Sequence, residues 1–89
     1  MMRPYWIKIR RPKEPTALGL GVGITARSEL DARDIFEQVV GRGSYVVVSV
    51  EPIDDMAALD QNHVVPNMGN IFIRGVWYPQ GYRLPRENS

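Results

Sequence analysis

The chain has 89 residues, 44% of them hydrophobic and 24% charged, which is the composition of a folded domain and excludes a disordered chain. This length predicts one small domain, near the lower limit for folding on a single hydrophobic core. The absence of cysteine excludes disulfides and thiolate metal sites, and no apolar stretch has membrane-spanning length, so we expect a cytoplasmic protein without a cofactor or a membrane partner.

Charge is segregated along the chain although the net charge is only +1. Residues 1–27 contain six basic residues and one acidic residue, whereas residues 28–63 contain two basic and eight acidic residues. Such blocks can steer a charged partner or pair with each other inside the fold. We favour internal pairing.

The first predicted strand covers residues 5–10. Tyr5, Ile7 and Ile9 alternate with their neighbours in the period-two pattern of a half-buried strand. Pro12 then ends the strand, because proline cannot donate to a ladder.

Basic and aromatic residues occur together in this strand. Tyr5, Trp6, Arg10 and Arg11 suit a single-stranded nucleic acid, whose bases stack on aromatic rings and whose phosphates bind basic groups. The nearly neutral chain and its acidic middle argue against this function, which we keep as an alternative.

The segment GLGVGITARS, residues 19–28, has a glycine at every second position. A dinucleotide-binding loop needs the spacing G-x-G-x-x-G, and this segment reads G-x-G-x-G. Because Leu20, Val22 and Ile24 alternate with the glycines, the segment predicts a second strand with one bare face. A bulky group can lie on that face, and the candidates are Trp6 and a side chain from a partner.

A helix is predicted over residues 28–41. Ser28 is a suitable N-cap, Asp31 stands at the capping-box position, and Gly41 supplies the C-terminal stop. An apolar stripe at helical spacing is formed by Ala32, Ile35, Phe36, Val39 and Val40.

Two further strands are predicted over residues 45–50, as a central strand, and over residues 71–78. Residues 53–70 between them show no period apart from a single helical turn over residues 56–59. Polar side chains that could hold this loop through backbone hydrogen bonds are Asp60, Asn62, His63, Asn67 and Asn70.

The predicted order is therefore β-β-α-β-(turn)-β. It indicates an α+β domain over residues 1–79, with a sheet of about four mostly antiparallel strands and one helix on one face. If the second and third strands are parallel neighbours, their crossover should be right-handed. We expect residues 80–89 to form a flexible polar tail.

His63 is the only histidine, and Asp60 could orient it as a general base. A small enzyme or ligand-binding protein using this pair is therefore an alternative. A metal site would need Asp54, Asp55, Asp60 and His63 to converge, and their spacing matches no strong ligand motif. We therefore assign no catalytic residue and no metal.

The last strand contains Arg74, Trp77 and Tyr78, which are residue types that dominate binding hot spots. Alternation predicts that Trp77 and Tyr78 point to opposite faces, so that at least one of them lies away from the core. Gly75 indicates a bulge or a close approach of backbone.

Taken together, several segments resemble a group of small bacterial proteins that share this layout as far as about Pro79. These segments are YW at 5–6, GVGITARS at 21–28 with Asp31-Ala32, DQNHV at 60–64, PNMG at 66–69 and RGVWYP at 74–79. The resemblance implies no activity and no catalytic residue. In its small size, its lack of cysteine and its acidic helix, the chain is also similar to immunity proteins, which neutralise a partner toxin.

We therefore expect a non-catalytic protein-binding module, for example of the immunity or antitoxin type. Homodimerisation through edge-strand pairing is a further alternative. The predicted partner-binding residues are Asp34, Glu37, Gln38, Asn62, His63, Asn67, Arg74, Trp77 and Tyr78.

Overall fold

The structure is a computed structural model, and it describes residues 2–10, 21–41, 45–55, 57, 59, 61–62 and 64–79. The elements in chain order are β1 (Arg3–Ile9), β2 (Val22–Ala26), α1 (Glu29–Val40), β3 (Val47–Pro52), a 3-10 helix (Val65–Asn67) and β4 (Gly75–Tyr78). The predicted α+β class and the order of strands and helix are confirmed.

The four strands form one antiparallel sheet in the order β3-β1-β2-β4. Both β2 and β3 run antiparallel to β1 and are therefore parallel to each other, with β1 between them. The connection through α1 thus spans β1 and does not join neighbouring strands. β3, which we predicted as a central strand, is an edge strand.

The main core lies between α1 and one face of the sheet. Ile7, Ile24 and Val50 come from three strands and pack in one buried cluster with Ile35 and Phe36 of the helix. The sequence explains this arrangement, because the period-two pattern of the strands and the helical stripe each present one apolar face.

Both ends of α1 are formed as the sequence predicts. Oγ of Ser28 accepts a hydrogen bond from the backbone N–H of Asp31 at 3.0 Å. At the other end Gly41 has a φ of 107°, and its N–H donates to the carbonyl of Glu37 at 3.0 Å. This positive φ favours glycine, which has no Cβ to clash.

The opposite face of the sheet carries a second apolar cluster. Its buried members are Val64, Trp77 and Tyr78. Side chains packed against them are Trp6, Ile53, Leu59, Met68 and Ile71. The segment between β3 and β4 therefore covers this face. It does so with single apolar residues at irregular spacing, which explains why the sequence shows no period there.

β4 begins at Gly75, and the prediction that the strand starts at residue 71 is wrong. Residues 71–74 form turns and bends, and Phe72 and Ile73 are exposed. At the other edge β3 extends through Pro52, which pairs with Tyr5. An edge strand tolerates this proline because one side of its backbone needs no ladder partner.

A β-bulge places Trp77 and Tyr78 on the same side of the sheet. Gly23 pairs with Tyr78 and the next residue, Ile24, pairs with Val76, so Trp77 is an extra residue in β4. The bulge breaks the alternation, and the prediction that Trp77 and Tyr78 point to opposite faces is therefore wrong. The predicted tail 80–89, and Met56 and Ala58 of the predicted turn, lie outside the described residues.

Candidate functional site

The bare face of β2 is filled by two indole rings of the same chain. A Cβ atom at Gly21 would lie 2.6 Å from Nε1 of Trp6, and a Cβ atom at Gly23 would lie 2.5 Å from Cη2 of Trp77. No side chain fits at such distances. The glycines therefore make room for Trp6, as considered from the sequence, and also for Trp77.

Trp6, Trp77 and Tyr78 form one aromatic group over these glycines. The rings of Trp6 and Tyr78 are stacked with centroids 5.7 Å apart, and those of Trp6 and Trp77 are tilted at 6.2 Å. Trp77 is 1% exposed and Tyr78 is 6% exposed. These two predicted partner-binding residues thus lie in the second core cluster.

Arg74 is bound to the N-terminus of α1. Its Nε donates to Oδ2 of Asp31 at 3.0 Å, and its Nη2 donates to Oδ1 at 2.5 Å. Oδ2 of Asp31 also accepts from the backbone N–H of Arg27 at 2.9 Å. The hydrogen bonds from Arg74 are the main cause that lowers the pKa of Asp31 to about 2.

Residues 70–74, which we call the tip, are ordered by a hydrogen bond within the tip and by hydrogen bonds to the body of the domain. Oδ1 of Asn70 accepts from the N–H of Phe72 at 2.8 Å, and Oγ1 of the buried Thr25 donates to the carbonyl of Ile71 at 2.5 Å. Arg74 closes the tip through its pairing with Asp31. The backbone of the tip is therefore held from β2 and from α1.

The tip nevertheless holds large apolar side chains in solvent. Phe72 is 85% exposed and Ile73 is 63% exposed. Leu30, 78% exposed, directly precedes Asp31 in α1. Because Asp31 and Arg74 are bonded, their chain neighbours Leu30 and Ile73 lie at the same end of the molecule. We call Leu30, Phe72 and Ile73 the tip surface.

We did not predict the tip surface, although the sequence contained two signals for it. Leu30 is a large apolar residue outside the helical stripe. Ile71, Phe72 and Ile73 are three apolar residues in a row, which is not the alternation of a half-buried strand.

The predicted acidic residues lie on the same helix as Leu30. Asp34 is exposed, one turn beyond Leu30, and accepts from Nε2 of Gln38 at 3.0 Å. Glu37 is partly exposed.

Asn62 and Asn67 are exposed in the segment that covers the second face, while His63 and Asp60 lie outside the described residues. The structure therefore brings Asp34, Glu37 and Gln38 together. Among the described residues, it does not unite them with Asn62, Asn67, Trp77 and Tyr78, which lie on the other face of the sheet or in the segment that covers it.

Two ion pairs join the acidic middle of the chain to basic residues on either side. Nη2 of Arg3 lies 3.1 Å from Oδ1 of the exposed Asp54, and Arg74 binds Asp31. At these two positions the predicted internal pairing of charge is confirmed.

The described residues also bear on membrane-spanning, metal-binding and nucleic-acid-binding functions. None of the helices in that part of the chain has the length and apolar character needed to cross a membrane. In the same part of the chain, no group of three or more His, Asp or Glu side chains could hold a metal ion. For binding of a single-stranded nucleic acid, Lys8 and Arg10 are exposed, but the ring of Trp6 that would stack on a base is stacked on Tyr78.

Comparison of the chain with models of protein families, with curated proteins and with solved structures finds no match.

Proposed function

We propose that this domain is a non-catalytic protein-binding module that binds its partner through the tip surface. One observation carries the proposal: an anchored loop holds Phe72 and Ile73 in solvent, and its Arg74 is bonded to Asp31, the residue that follows the exposed Leu30. Single exposed apolar residues are common on proteins, whereas clustered ones mark interaction sites.

Anchoring of the tip supports binding on energetic grounds. A flexible loop loses conformational freedom when it binds, and that loss weakens the complex. The hydrogen bond that Asn70 accepts and those that Thr25 and Arg74 donate remove much of this freedom before a partner arrives. Phe72 can then enter an apolar pocket as a rigid anchor.

The small size of the chain and the acidic face of its helix support a toxin as the partner. A toxin, as for an immunity protein, would meet both the tip surface and the adjoining acidic residues Asp34 and Glu37. Complementary basic residues on the toxin would speed the encounter, while the apolar anchors would slow its release. A second copy of the chain is the other occupant of this surface.

The test compares the wild-type protein with the double variant Phe72→Ser/Ile73→Ser. Each protein is immobilised and exposed to an extract of the source organism and, separately, to untagged copies of itself. We expect a stoichiometric protein partner that the wild type retains and the double variant loses, and calorimetry with the purified partner should then show the same difference.

Val48→Lys is the matched control, because Val48 is an exposed apolar residue on the edge strand β3, away from the tip. It should retain the partner. Equal retention by the tip variant and the wild type would contradict the proposal.

A further inference from the structure

We infer that the tip surface binds a second copy of this chain in a two-fold symmetric dimer. The inference rests on the proposed function and names the occupant of the same surface. In such a dimer each copy presents the same patch to the other, so the patch must complement itself in both shape and charge.

The exposed charged residues that flank Leu30 in the chain meet this requirement. Within four residues of Leu30, the exposed charged residues are Arg27, Glu29, Arg33 and Asp34, two of each sign. Asp31 and Arg74, between Leu30 and Ile73, already neutralise each other. A rim with both signs lets basic groups of one copy face carboxylates of the other, whereas a rim of one sign would repel its own copy.

The size of the chain points in the same direction. Small domains bury a smaller fraction of their surface than large ones do, so an interface can bury apolar side chains that a small monomer leaves exposed. The sequence contains no cysteine, and its apolar residues divide between two clusters on opposite faces of the sheet. Apposition of two tip surfaces would bury Leu30, Phe72 and Ile73, which the monomer leaves in water.

Strand addition is the competing route to a dimer, and the edges of the sheet argue against it. Both edge strands have a β-bulge, at Val48 in β3 and at Trp77 in β4. Bulges and edge prolines such as Pro52 twist or block an edge so that a second strand pairs poorly.

The test is sedimentation equilibrium of the full chain over a wide range of protein concentration. We expect the average mass of the wild type to rise from monomer toward dimer. Phe72→Ser/Ile73→Ser should raise the dissociation constant by about tenfold or more, as expected when hot-spot side chains are removed. Val48→Lys should dimerise as the wild type does.

A wild type that is monomeric at every concentration would overturn the inference, and so would dimerisation lost in Val48→Lys but kept in the tip variant. Failure of the dimer is distinguishable from failure of the proposed function. If the wild type is monomeric and binds a foreign protein that the tip variant does not bind, the dimer is overturned and the proposed function stands. If the tip variant loses neither its own copy nor a foreign partner, the proposed function is overturned as well.

Discussion

At Gly23 the ring of Trp77 occupies the space that any side chain would need. We expect Gly23→Ala to lower the free energy of unfolding by about 1 to 3 kcal/mol, because overpacking forces the indole or the strand to move. Urea unfolding followed by tryptophan fluorescence measures the change.

Gly69→Ala is the control for this substitution. A Cβ atom at Gly69 would lie 3.6 Å from the carbonyl oxygen of Trp77, an ordinary van der Waals distance. The variant should therefore be within about 0.5 kcal/mol of the wild type. An equal loss of stability in both variants would show that close packing of Trp77 on Gly23 is not the cause.

The lowered pKa of Asp31 makes stability depend on pH. Because the pKa in the folded state, about 2, is below the ordinary value of 3.8, the unfolded chain takes up the proton first as the pH falls. The contribution of Asp31 is therefore complete above about pH 5 and disappears toward pH 2. We expect it to be about 1 to 2 kcal/mol, because solvent screens part of the ion pair.

Asp31→Asn tests this contribution, since the amide oxygen can still accept from the N–H of Arg27 while the charge is removed. The variant should be less stable than the wild type at neutral pH, and the difference should shrink on acidification. Asp54→Asn, which breaks only the exposed pair with Arg3, should change stability by less than about 0.5 kcal/mol. A difference for Asp31→Asn that stays constant with pH would contradict the account.

Residues whose roles depend on near neighbours in the chain could be predicted. Ser28, Asp31 and Gly41 act within a few residues of their own positions, so the sequence was sufficient for the helix caps. The partner of Arg74 could not be predicted, because Asp31 is 43 residues away and only the tertiary fold brings the two together.

At the scale of elements, the tip depends on one buried hydroxyl. Thr25→Val keeps the β-branched shape but leaves the carbonyl of Ile71 without its donor at Oγ1. We expect a loss of about 1 kcal/mol in the free energy of unfolding and faster hydrogen exchange in residues 71–74. The variant should also bind its partner more weakly, because the tip is less well ordered before binding.

Gln38→Ala provides the comparison, since the side-chain amide of Gln38 donates to the exposed Asp34 of the same helix. It should leave hydrogen exchange at the tip unchanged. Unchanged exchange in Thr25→Val would show that other contacts hold the tip.

The last strand shows why element boundaries are harder to predict than element types. Ile71, Phe72 and Ile73 have the composition and the continuous apolar run of a fully buried strand, so the sequence does not distinguish a strand from an exposed turn here. The bulge at Trp77 is set by its pairing with β2, and a single strand's sequence does not specify that pairing.

At the scale of the whole molecule, the sheet is covered on both faces by different means. The face beneath α1 could be predicted, because helix and strand periods both mark it. The other face is covered by an irregular segment that is anchored by Leu59, Val64, Met68 and Ile71. No period relates these residues, so their common role emerges only from the fold.

The candidate site likewise combines residues that the sequence could predict with residues that only the fold brings together. The polar residues Asp34, Glu37 and Gln38 lie on the predicted helix, and their full or partial exposure follows from its amphipathic pattern. The tip surface combines Leu30 with residues more than 40 positions later in the chain, joined through the pair of Asp31 and Arg74. The grouping is tertiary, which is why the sequence showed its members only as apolar residues in unexpected places.

We propose that the tip surface serves binding and contributes little to the fold of the monomer. The most direct measurement pairs the free energy of unfolding of Phe72→Ser/Ile73→Ser, taken at a protein concentration at which the wild type is monomeric, with its binding to the retained partner or to its own copy. We predict stability within about 0.5 kcal/mol of the wild type together with at least about tenfold weaker binding. Unchanged binding, or a large loss of stability, would contradict the account.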